Sequence, residues 1–151
     1  MQKSWRSLIR PKRIEIDEGT HTRFYGEFVC QPLERGFGIT LGNALRRVLL
    51  SSIQGAAIIS MKIDGVLHEY STVQGVKEDV TDIILNFKGV RVKLNQDGPK
   101  IVHIDTSTEG IVTAADIVTD GSVEILNTDH YIATLSGGNR FKTDLVLQSG
   151  K

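Results

Sequence analysis

Only two stretches of this 151-residue chain repeat their apolar residues every three or four positions; most of the rest alternates or falls into short apolar runs. Two helical periods set among strand periods, with no regular strand–helix–strand alternation, point to an α+β class with mainly antiparallel sheets and two principal helices. The first stretch is predicted to start near Thr40, a plausible N-cap, and to run for about 13 residues. Its apolar positions, Leu41, Ala44, Leu45, Val48, Leu49 and Ile53, share one helical face, with Arg46 and Arg47 on its flanks. The second covers 76–88, with Val76, Val80, Ile83, Ile84 and Phe87 on one stripe and Gly89 as its stop.

The strand text begins at residues 13–18, which alternate apolar and charged. Turn chemistry follows at Glu18-Gly19-Thr20, and Thr22 to Cys30 reads as a second strand. After Gln54-Gly55 the run AAIISMKI is strand-like, Asp64-Gly65 is a turn and VLHEYST a further strand, so this pair is predicted to form a hairpin. Val90 to Leu94 and Lys100 to Asp105 lie either side of Gln96-Asp97-Gly98-Pro99. Short apolar runs follow at 122–126, 130–135 and 141–147. The composition changes near Ser52, where we place a subdomain boundary.

A hydrophobic fraction of 40% and a charged fraction of 24% suit a globular chain and argue against disorder. The single cysteine excludes an internal disulfide framework and a multi-cysteine metal site. No apolar run approaches the roughly 20 residues that a membrane-spanning helix needs, and the N-terminus does not read as a signal peptide. Eighteen basic residues balance eighteen acidic ones. The balance hides an asymmetry: residues 1–50 carry nine basic and five acidic side chains, and residues 51–151 carry nine and thirteen. Chance clustering on solvated faces accounts for that split as readily as a partner does.

No convergent catalytic set stands out. The histidines at 21, 68, 103 and 130 are isolated, without the spacing of a helical zinc site, and read as surface or hydrogen-bonded residues. Cys30 reads as a small buried hydrophobe. Glu78, Asp79 and Asp82 lie where they complement the dipole of the second helix. Gly36, Gly38 and Gly42 match neither a dinucleotide fingerprint nor a phosphate loop. They read instead as glycines that let the backbone turn sharply and the helix pack closely. No cofactor or metal is expected. Leu50 projects away from the centre of the apolar stripe, beside Arg46 and Arg47. That grouping suits an interface and a solvated, ion-paired face equally well.

The stretch from Pro32 to Ser52, PLERGFGITLGNALRRVLLSS, closely resembles the signature of the bacterial RNA polymerase alpha subunit, N-terminal domain. The similarity continues in order through Ile63 to Ser71, Gly75 to Val80, Leu85 to Gly89, Val112 to Ile117 and Asp120 to Ile125. The resemblance implies a cytoplasmic, non-catalytic scaffold that is part of an enzyme only within the polymerase. In that family the domain dimerises and nucleates assembly of the beta and beta-prime subunits. It implies a dimer face formed by Leu41, Ala44, Leu45, Val48 and Leu49, and beta-subunit contacts at Arg47, Leu50 and Lys88. Residues 1–52 would be the first part of the dimerisation subdomain and 53–151 an inserted strand-rich subdomain. Family members continue beyond this point, so the chain reads as a fragment, with no residues for direct DNA binding and no membrane association. Two rivals remain. An independent nucleic-acid-binding module using the basic N-terminal segment would need a basic stripe with interleaved aromatics. A small enzyme on the glycine loop would need a titratable cluster.

Overall fold

The computed structural model describes residues 8–96 and 98–151. The chain divides into two compact units, Met1–Ile53 and Gln54–Lys151. Among the described residues there are two α-helices, and every strand pairing is antiparallel, so the fold is α+β.

In the first unit β1 (Arg13–Ile16) pairs with β2 (Phe28–Gln31), placing Ile14 opposite Cys30 and Ile16 opposite Phe28. The second strand is shorter than the alternation predicts, because Thr22 closes a turn. Its hydroxyl oxygen accepts from the amides of Phe24 and Tyr25 at 3.2 and 3.0 Å, and its amide donates to the Tyr25 carbonyl. Cys30 is half-buried, not buried as expected. α1 (Phe37–Ser51) starts three residues earlier than its expected cap at Thr40. The cap is Gly36, at φ 88°, a left-handed conformation that glycine adopts without steric cost. Thr40 lies inside the helix, its hydroxyl donating back to the Gly36 carbonyl.

The second unit carries a five-stranded sheet in the order β5-β9-β3-β4-β7. Its strands are β3 (Gly55–Ile63), β4 (Val92–Leu94), β5 (Lys100–Thr106), β7 (Val123–Ile125) and β9 (Phe141–Gly150). A separate pair joins β6 (Gly110–Thr113) to β8 (Tyr131–Leu135). The long strand β9 lies between β5 and β3 and sets alternate residues, Phe141, Thr143, Leu145 and Leu147, into the core. Val102 and Ile104 from β5 join them, with Ile132 and Leu135 from β8. Thr143 is the polar residue of that β9 row, and its hydroxyl is satisfied by the Lys62 carbonyl at 3.1 Å.

The hairpin expected between 56–63 and 66–72 does not form. Strand β9 takes one edge of β3 along nearly its whole length, β4 meets the other only at Ala56, and Thr72 bridges to Asp79 instead. The 66–72 segment instead runs as bends with Leu67 and Tyr70 exposed. Nor do the strands on either side of residues 96–99 pair with each other. α2 (Val80–Lys88) is shorter than the 76–88 stripe. Asp79 is its N-cap, accepting from the Asp82 amide at 2.7 Å, and Val76 bridges to Leu135 outside the helix. Its face of Val80, Ile83 and Phe87 is buried in the core.

Candidate functional site

The α1 sequence has the spacing of an amphipathic helix, yet no residue of the helix is buried. Leu41, Leu45, Val48 and Leu49 on the apolar stripe are all exposed, Leu45 by 61%, and Ala44 is exposed with them. Helices in folded proteins draw most of their stability from packing such a face, so an uncovered stripe is an unspent source of binding energy. Gly38 and Gly42 fall on the margin of that stripe. Nothing outside the helix backbone lies within 4 Å of the place a β-carbon would take on either. The close packing expected of these two glycines is therefore not made among the described residues. Gly36 does serve its expected turning role.

On the other side of α1, Leu50 is 73% exposed and Arg46 and Arg47 are exposed beside it. Among the described residues neither arginine has an ion pair. The Arg47 carbonyl accepts from the Ser51 hydroxyl at 2.6 Å, and the Ser52 amide closes the helix on the Val48 carbonyl at 2.9 Å. Lys88 belongs to the second unit, exposed at the last position of α2. The turn that follows it is anchored by Asn127, whose side chain donates to the Gly89 carbonyl and accepts from the Arg91 amide. Sequence reasoning passed over Asn127, since a single asparagine between two short apolar runs carries no pattern of its own.

Titratable chemistry is sparse. Glu78, expected to serve the α2 dipole, instead ties the segment before α2 to β8. It accepts from the Thr134 amide at 2.6 Å and from the hydroxyls of Thr134 and Tyr131. Burial pushes its carboxyl up, but those hydrogen bonds outweigh burial and hold it below the usual glutamate value. Burial and the Glu78 carboxylate push the Tyr131 hydroxyl up. The two groups are thus driven away from neutrality, opposite to what acid–base catalysis at neutral pH requires. An open cleft of about 530 Å³ is lined in part by Asp64, Thr72, Gln74, Asn139, Arg140 and Lys142. Its arginine is already held by Asp105, with Nε to Oδ1 at 2.6 Å. Among the described residues no three His, Cys, Asp or Glu side chains gather as a metal site. No described helix is long and apolar enough to cross a membrane.

Comparison with known proteins agrees with the motif pattern. The family model of the RNA polymerase Rpb3/RpoA insert domain matches residues 61–151. The chain is 74% identical over all 151 residues to the DNA-directed RNA polymerase subunit alpha of Syntrophus aciditrophicus, covering 44% of that protein. It is 54% identical over its full length to the subunit alpha of Geobacter metallireducens, again 44% of the relative. Over 138 residues, 91% of this chain, it is 56% identical to the Clostridium botulinum subunit. The chain thus spans less than half the length of these relatives.

Proposed function

This chain belongs to the RNA polymerase Rpb3/RpoA insert domain family, and on that premise we propose that it is a non-catalytic assembly component of a bacterial DNA-directed RNA polymerase. Its two units correspond in this reading to a dimerisation segment and an inserted subdomain facing the large subunits. The observation that carries the reading is the uncovered face of α1, an amphipathic helix with none of its residues buried.

Leu41, Ala44, Leu45, Val48 and Leu49 form the self-association face, and Gly38 and Gly42 leave room for a second helix to approach closely. Arg47 and Leu50 on the opposite side, together with Lys88 on the second unit, meet the beta subunit. An arginine offers a planar fork suited to bidentate carboxylate recognition, and the neighbouring leucine supplies apolar area. Catalysis is left to the beta and beta-prime subunits.

Two variants test the two faces separately, in the subunit at the length the cell makes. Leu45→Glu is expected to abolish self-association in sedimentation experiments. Arg47→Ala is expected to leave self-association intact while weakening capture of the beta subunit about tenfold or more. A soluble Leu45→Glu protein that still dimerises, or an Arg47→Ala protein that captures beta normally, overturns the corresponding assignment.

A further inference from the structure

The end of α2 is held by side chains from the loop between β7 and β8. Asn127 donates from Nδ2 to the Gly89 carbonyl at 2.9 Å and accepts at Oδ1 from the Arg91 amide at 2.7 Å. One amide group thereby fixes the peptide units on either side of Val90, in the turn that follows Lys88. The Nε2 of His130 lies 2.8 Å from the Asn86 carbonyl oxygen, and the Asn86 side chain donates to the Ile132 carbonyl at 2.8 Å. The loop is itself closed by the His130 amide on the Asn127 carbonyl, and the Leu126 amide joins the Arg91 carbonyl.

Gly89 belongs to the same arrangement. Its φ of −81° is open to any residue, so backbone conformation does not require glycine here. Space does: a β-carbon on Gly89 would fall 2.5 Å from His130 Nε2. The helix end and the loop are thus fitted to each other by shape as well as by hydrogen bonds.

We propose that Asn127 and His130 are positioning residues for Lys88, fixing the α2 terminus so that its ammonium group is presented to the beta subunit in one backbone pose. This rests on the reading of Lys88 as a beta contact. The last turn of a helix frays when its carbonyls have no partners. Here the carbonyls of Asn86 and Gly89, on either side of Lys88, are both engaged by the loop. A turn held before docking loses less conformational freedom on binding than one that must first be ordered.

The test is a double-mutant cycle on beta-subunit capture, using the subunit at the length the cell makes. Lys88→Ala and Asn127→Ala are each expected to weaken capture by about five- to tenfold, and the double variant is expected to be no weaker than Lys88→Ala alone. His130→Ala should follow the same pattern. A role in general stability would lower capture by the same factor in both backgrounds, and that result overturns the positioning role while leaving the Lys88 contact standing. If Lys88→Ala captures beta as well as the unaltered subunit, the contact and the positioning role fall together. Should Asn127→Ala not fold, Asn127→Asp carries the same cycle, since it keeps the acceptor for the Arg91 amide and sets a carboxylate oxygen against the Gly89 carbonyl in place of the donor.

Discussion

The imidazole Nε2 of His130 sits 2.8 Å from the carbonyl oxygen of Asn86, within the space a side chain on Gly89 would need. Glycine-to-alanine changes at ordinary negative φ usually stabilise, by restricting the unfolded chain. At position 89 the sign is expected to reverse, because a new β-carbon would run into a ring whose Nε2 already meets the Asn86 carbonyl. We expect Gly89→Ala to cost about 1–3 kcal/mol in denaturant unfolding. Adding His130→Ala should recover part of that loss, so the double variant is more stable than the sum of its parts. A Gly89→Ala protein at least as stable as the parent would remove the steric account.

Two leucines of similar sequence character should behave oppositely. Leu145 on β9 is 0% exposed, and Leu45 on α1 is 61% exposed. Leu145→Ala is expected to cost about 2–5 kcal/mol through lost contacts and the cavity left behind. Leu45→Ala should change the unfolding free energy of the non-associated chain by no more than about 0.5 kcal/mol. Equal losses for the two would mean that α1 has a buried face after all.

Gly42 offers a test in which stability and association move apart. A β-carbon there meets open space, and glycine within a helix is about 1 kcal/mol less favourable than alanine. Gly42→Ala is therefore expected to raise the helical content of the non-associated chain. If α1 packs closely on a second copy, the same methyl group stands in the way and self-association weakens. Tighter self-association in the variant would rule out close approach at that glycine.

The fold class was legible because local patterns carry it: Val80, Ile83 and Phe87 keep their helical period, and β9 alternates buried and exposed residues in register with its neighbours. Pairing was not legible. Ile63 pairs with Thr143, about eighty residues away, and the nearer candidate strand at 66–72 does not pair with β3. β6 (Gly110–Thr113) escaped notice because four residues that begin with a glycine show no alternation. The helix starts moved for reasons of partner choice: Gly36 replaced Thr40 as a cap through its left-handed backbone, and Glu78 left α2 for Thr134. At the candidate site spacing drew the apolar and basic faces of α1, but not that the apolar one lies uncovered. The anchor of the Lys88 turn could not, since Asn127 reaches Gly89 across 38 residues of sequence.

Two carboxylates should give the second unit an acid-sensitive stability with separable parts. Glu78 is held below the ordinary glutamate value of 4.5, burial raising it and hydrogen bonds from Tyr131 and Thr134 lowering it further. Asp105 is held below 3.8, first by its hydrogen bond from Arg140 and then, against burial, by the charges of Arg140, Lys142 and His103. In both cases the folded state binds its proton less readily than the unfolded chain. The stabilisation is therefore complete above about pH 5 and is lost as the pH falls through the folded values. Glu78→Gln and Asp105→Asn should each lower stability at neutral pH and flatten the slope between about pH 5 and pH 2. Salt separates them. The Asp105 contribution is an exposed ion pair with Arg140 and should shrink as ionic strength rises, whereas Glu78 is held by neutral donors and should respond weakly. Unfolding curves at low and high salt for the two variants check the assignment, and a Glu78→Gln effect that vanishes in high salt would overturn the hydrogen-bond origin given to it.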